Sequence, residues 1–302
     1  MTKLRHSTYR SRSAGVTLIE LAITIALVGI LAAMIVQFVA PVRSYIDSSR
    51  RAALADTADT ALRRIGRDVR LALPNSVRVT TAAGVTYLEF LQVRTAGRYR
   101  FENDAATTTG CPGGAGLDPA LDVLNFSAAD DCFKTIGSIP NITQVTANDF
   151  VVIFNLPPGT ANANAYEFPG TGGNKSQVVS ATAGTNEDRI VIVNHSFTFE
   201  STGRRFFIIE GPVTYACNPA AGVGTLMRYA GYAISAAQPT PPGVASMLLA
   251  GGVTACTIAF DASVGTAGAA LLTMSLQLSM QDSRGDTESV NLYHAIHVNN
   301  VP

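Results

Sequence analysis

The sequence has no surplus charge of either sign. Lysine plus arginine and aspartate plus glutamate stand at 22 each in 302 residues. Nothing in that balance favours nucleic acid, which is bound through basic patches. There are four cysteines, at 111, 132, 217 and 256, and no two form a CxxC pair. The spacings of zinc ribbons and thioredoxin-type redox centres are therefore missing. No GxSxG elbow and no HExxH pair occurs either, so the serine-hydrolase and zinc-protease signatures are absent. Histidines number four, and only His294 and His297 are close. Three apart on a strand they face opposite ways, which does not suit a shared metal. The reading is of a protein that is not an enzyme, with no cofactor and no metal.

The most informative gap is a lack of charge. From Leu21 to Ala40 no side chain is charged, and only Thr24 and Gln37 are polar. As a helix at ~1.5 Å per residue this run is ~30 Å long, the thickness of a bilayer's hydrocarbon core. One carboxylate, Glu20, precedes it, and before that come Lys3, Arg5, His6, Arg10 and Arg12. An ordinary secretory signal has a shorter apolar segment and is cut after it. Basic residues before the span and little charge after it predict a cytoplasmic N-terminus. A carboxylate within a span is costly, by ~2.5–3.5 kcal/mol at mid-bilayer, and so implies a partner.

Gly15-Val16-Thr17-Leu18-Ile19-Glu20-Leu21 resembles the class III signal of type IV prepilins and type II secretion pseudopilins. That resemblance implies cleavage by a prepilin peptidase between Gly15 and Val16, and N-methylation of Val16. It implies an assembly role for Glu20, paired with the amine of a neighbouring subunit. The implied partners are the peptidase/methyltransferase, other major and minor pilins, the inner-membrane assembly platform and the membrane; nucleic acid is not among them. The implied location is the inner membrane, with the head periplasmic, and then a pilus or pseudopilus. Cleavage would remove Lys3, Arg5, Arg10 and Arg12 and no acid, leaving 18 basic against 22 acidic side chains.

Residues 1–15 are thus expected to be a leader, residues 16–40 the transmembrane and assembly half of a helix, and residues 41–73 its amphipathic half. Pro41 is expected to kink it. Beyond it Ile46, Leu54, Ala58, Ala61, Leu62, Ile65, Val69, Ala72 and Leu73 recur at helical spacing. Arg64 and Asp68 are placed to pair at i,i+4, and Pro74-Asn75 is expected to stop the helix. Residues 74–302 form a β-rich head. Its expected strands include 77–81, 85–93, 149–156, 189–193, 196–200, 205–210, 213–217, 226–234, 254–260, 271–281 and 287–298, with long loops at 103–120, 157–184 and 235–252. One long helix packed on antiparallel strands is an α+β fold. Four cysteines in an exported domain predict two disulfides. Sequence locality favours Cys111–Cys132 and Cys217–Cys256 among three possible connectivities.

The second half of the helix, Ala61 to Arg78, resembles the matching segment of O-type proteins of MSHA pilus biogenesis. So do Arg205 to Cys217, Leu226 to Tyr232, Cys256 and His297 to Pro302. More distantly the chain is similar to J-type minor pseudopilins. It departs from major pilins in carrying Gln37 where many have proline, and in the long stretch after Cys256. Both departures favour a low-copy subunit. A tip-binding role for the loop-bearing head is the competing reading. Gly172-Gly173-Asn174-Lys175-Ser176 lacks the glycine a phosphate loop requires before lysine. Asp282, Asp286 and Glu288 are carboxylates in a turn, most simply solvated.

Overall fold

The structure is a computed structural model that describes residues 15–103, 110–113, 116–118, 122–167, 173–263, 268–281 and 285–302. The basic leader, Gly172 and Asp282 lie outside the described residues. The chain divides into two units, residues 1–50 and 51–302. The fold is α+β: among the described residues a single α-helix, α1 (Leu18–Arg70), is followed by fourteen β-strands.

In the first unit the described backbone from Leu18 onward is helical and continues through Pro41. In the second unit the rest of α1 turns Ala58, Ala61, Leu62, Ile65 and Val69 into a core. The helical periodicity selects these positions; it also selects Leu54, which is partly buried against this core, and Ile46, which is exposed. At Gly66, among the buried positions, a Cβ would come within 3.2 Å of Ile296 Cδ1. On the same side Asp68 accepts hydrogen bonds from Tyr215 Oη (2.6 Å) and Arg228 Nε (3.0 Å). It therefore ties the helix to the sheet and does not make the expected pair with Arg64. An i,i+4 ion pair of this helix is Arg63–Asp59 at 2.7 Å.

The helix ends a turn before Pro74. Leu73 N–H donates to Leu91 O and Val93 N–H to Leu71 O, so the chain is captured by a strand while still approaching the proline. Asn75 then takes a left-handed φ of 61°. Its Nδ2 donates to the carbonyls of Asn155 (2.9 Å) and Asn300 (3.1 Å), while Asn155 Nδ2 donates to Pro74 O (2.7 Å). Three asparagines thus close the corner where the helix meets the head.

The largest sheet has nine strands, all antiparallel where they pair. The β1 (Arg78–Ala82) and β2 (Val85–Arg98) hairpin opens it. At its centre is β9 (Arg205–Asn218), paired with β2 along most of its length. On its other side β9 is shared. Phe207, Ile208 and Ile209 pair with β6 (Phe150–Val152), and Val213 to Asn218 pair with β10 (Thr225–Ala230). The handover falls at Gly211-Pro212, where proline has no N–H to offer a ladder and Gly211 has a φ of 137°. From β6 the sheet continues through β7 (Lys175–Thr182) and β8 (Arg189–His195) to β5 (Asp130–Lys134); from β10 it continues to β11 (Ser246–Gly251). A second sheet holds β12 (Val253–Asp261), β13 (Ala269–Gln281) and β14 (Thr287–Asn299) in that order. The short hairpin β3 (Cys111–Gly113) and β4 (Gly116–Asp118) stands apart.

Successive residues of a strand point to opposite faces, and the cores follow that rule. The helix shares one core with Phe90 and Tyr215 of the large sheet and Leu272, Met274, Leu276 and Ile296 of the small one. Phe133, Val151, Ile190, Phe206 and Ile208 build a second core, and Leu73, Leu91, Val152, Tyr166 and Ile209 a third. Cys217–Cys256 joins β9 of the large sheet to β12 of the small one, and Cys111–Cys132 joins the β3 hairpin to β5.

Several expectations are corrected. Residues 153–156 are not strand, because Phe154 is left-handed with φ 51° and Asn155 serves the corner described above. Residues 196–200 are not strand either. Conversely, the segments expected to be loops at 103–120, 157–184 and 235–252 all contain strands: the β3–β4 hairpin in the first, β7 in the second and β11 in the third.

The N-terminal helix as candidate functional site

Gly15 is exposed, and a Cβ placed on it would meet nothing within 4 Å. Packing inside this chain therefore does not demand glycine there. Two residues on, Thr17 Oγ1 accepts the backbone N–H of Glu20 at 3.3 Å. Thr17-Leu18-Ile19-Glu20 is thus a capping pair, with threonine before the helix and glutamate three residues later. The sequence carries this signal openly in its T-x-x-E spacing. A carboxylate in the first turn also complements the partial positive charge of a helix start.

Every residue from Gly15 to Ile35 is exposed within the chain. Leu18–Ile35 is long and apolar enough to cross a membrane, and none of that segment is buried. Leu18 is 87% and Ile25 65% exposed. Burial of an aliphatic side chain is worth ~1.5–3 kcal/mol, so an apolar surface of this extent is costly in water and suits lipid or other helices. Glu20 lies inside this segment, the one ionisable side chain on an otherwise apolar surface.

The other sequence candidates do not converge. His294 lies on the helix side of β14, with Nε2 near Gly66, whereas His297 is exposed on the opposite face. Glu288 accepts an ion pair from Arg51 at 2.5 Å. Among the described residues no group of three or more His, Cys, Asp or Glu could hold a metal ion. Lys175 and Ser176 are buried at the start of β7, a strand, and a phosphate loop would lead into a helix.

Lys175 nonetheless has a measurable consequence. Its Nζ donates to Ala165 O at 2.6 Å, and burial lowers its pKa to about 8. An unfolded lysine titrates near ~10.4. Between those values the unfolded chain holds a proton that the folded chain has lost, so stability rises with pH. Buried Tyr166, Tyr215 and Tyr232 are shifted upward, chiefly by burial. They act the other way only where unfolded tyrosine ionises, near pH ~10. Lys175→Met should therefore remove a stability gain of about 1.5 kcal/mol between pH 8 and 9.5. Urea unfolding of both proteins at the two pH values checks this, and equal slopes with pH would contradict it.

A family model described as the prokaryotic N-terminal methylation motif matches residues 10–36. No curated protein and no solved structure matches the chain. The motif and the apolar helix that carries it support a type IV pilin or pseudopilin.

Proposed function

We propose that this type IV pilin-like protein is a minor pilin that takes part in assembling an MSHA-like type IV pilus, near its tip. The single observation behind this reading is the methylation motif opening onto a helix whose apolar surface has no cover in its own chain. In this proposal residues 1–15 are a leader removed between Gly15 and Val16, and Val16 is then methylated. Residues 16–40 sit in the inner membrane before assembly and among other pilin helices afterwards. Residues 41–73 carry the helix into the head, and residues 74–302 are periplasmic. The N-terminus is cytoplasmic before cleavage, and the assembly platform of the inner membrane is the site of incorporation. The two disulfides favour an oxidising compartment for the head. The MSHA-type assignment rests on the segments Ala61 to Arg78 and Arg205 to Cys217. The same N-terminal chemistry would serve a J-like minor pseudopilin.

The test is intact-mass spectrometry of the chain co-expressed with a prepilin peptidase, with and without Gly15→Ala. Loss of residues 1–15 and gain of one methyl group are expected, both abolished by the substitution. An uncut wild-type chain would refute the proposal.

A further inference from the structure

Four charged side chains meet at the end of β5. Lys134 is the last residue of that strand, and its backbone N–H donates to Asp122 O at 2.9 Å, which sets the two residues side by side. Their side chains are 1% and 0% exposed, with Lys134 Nζ 3.9 Å from Asp122 Oδ2. A closer contact of the amine is Glu187 Oε2 at 2.8 Å. Glu187 enters two residues ahead of Arg189, the cross-strand partner of Lys134. Its other oxygen, Oε1, is paired with Arg100, whose backbone N–H donates to Lys134 O at 2.8 Å. The second oxygen of Asp122, Oδ1, accepts the backbone N–H of Cys111 at 2.8 Å.

Each of these groups has a place in forming an amide. Lys134 Nζ is a nucleophile held beside a carboxyl group, where proximity replaces a bimolecular encounter. Glu187 Oε2 is within reach to take a proton from the ammonium. The Cys111 N–H is at the distance of an oxyanion-hole donor from Oδ1. That fixes Oδ2, on the lysine side, as the oxygen that leaves. Two charges without solvent are costly to keep, and a neutral group of similar volume in their place is often stabilising.

We infer that Lys134 and Asp122 condense into an intramolecular isopeptide bond. The Nζ–Cγ bond forms and the Cγ–Oδ2 bond breaks, and nothing is oxidised or reduced. Of the ammonium protons, one stays on the amide nitrogen, and the others leave with Oδ2 as water, one of them by way of Glu187. Positive and negative charge cancel, and the Arg100–Glu187 pair remains balanced. The bond closes the excursion that Cys111–Cys132 also closes, by a link that reducing agents do not open. The inference does not depend on processing at Gly15.

The experiment is intact-mass spectrometry of the full chain, made without a peptidase, purified in detergent micelles, then denatured and reduced. The wild-type chain is expected to weigh one water less than its sequence. Lys134→Arg keeps the positive charge without the nucleophilic amine and should show its full sequence mass. Asp122→Asn should lose ammonia in place of water and reach the wild-type mass, because both side chains condense to the same amide. Chymotrypsin cuts after Leu124 and Phe126, between the two residues in sequence. The reduced wild-type digest should therefore contain a branched peptide joining Asp122 to Lys134. Glu187→Gln should lower the crosslinked fraction at least tenfold. A wild-type chain of full mass, the result of a buried ion pair alone, overturns the inference. So does a water lost from Lys134→Arg as well, which a succinimide elsewhere in the chain would give. Crosslinking of Glu187→Gln at the wild-type rate overturns the proton-transfer role of Glu187.

Discussion

Replacing Glu20 by alanine is expected to leave the chain in the membrane and keep it out of sheared filaments, with at least a tenfold loss of incorporation. The backbone N–H of Glu20 is held by Thr17, but its carboxylate stands exposed in the first turn of an apolar helix. In lipid or among other helices a carboxylate there requires a partner of opposite charge. Cleavage before Val16 would create one, a terminal amine four residues away in sequence on each neighbouring subunit. Truncating one member of such a pair leaves the other charge buried and uncompensated, which costs ~3–5 kcal/mol. Alanine removes no apolar surface, so membrane insertion should persist. Glu20→Asp retains the charge on a shorter side chain and should recover part of the assembly. The measurement is the amount of this subunit in the membrane and in sheared filaments, by immunoblot. Wild-type incorporation of Glu20→Ala would remove Glu20 from the assembly mechanism.

What could be read from the sequence divides along physical lines. The helix was legible because its two halves carry strong periodic signals, one continuous and one amphipathic. Positions 58, 61, 62, 65 and 69 are buried as that periodicity requires. Strands β13 and β14 were legible within two residues at each end, since each alternates over 13 residues. Strand β7 was not, because Lys175 and Ser176 open it and both are buried polar residues. Nothing local shows that Ala165 O waits for the lysine. Strand β11 was hidden by Gly251-Gly252 and by the proline-rich stretch before it. The interruption after Val152 depends on Asn155, whose partners at Pro74 and Ala165 are remote in sequence or lie across a turn. Asp68 shows the same limit. Local spacing points to Arg64, but the long-range partners Tyr215 and Arg228 hold it. At the N-terminal site the motif itself was legible. The Thr17 cap was equally present in the spacing and became informative only with its hydrogen bond.

The head should depend more on Arg78 than on any exposed charge. Glu89 is fully buried on β2. Arg78, its cross-strand partner on β1, donates to it from Nε at 2.9 Å, and Thr214 and Tyr232 hydroxyls complete its shell at 3.2 and 3.0 Å. The same guanidinium binds Ser235 O and Ala236 O and lies 3.7 Å from the Tyr166 ring centroid. It therefore neutralises a buried carboxylate and holds the 231–238 segment over the sheet at once. Arg78→Met keeps an apolar body but strands the carboxylate, so destabilisation of ~3–5 kcal/mol is expected. If the stranded charge is the cause, removing it should help. Arg78→Met combined with Glu89→Gln should recover about 2 kcal/mol of that loss, because a neutral amide still accepts from Thr214 or Tyr232. Were the lost carbonyl contacts the cause, the second substitution would return nothing. The chain has no tryptophan, so chemical unfolding is followed by near-ultraviolet circular dichroism of its tyrosines. A single-variant loss under ~1 kcal/mol would place the pair among the weak surface ion pairs, in conflict with its burial.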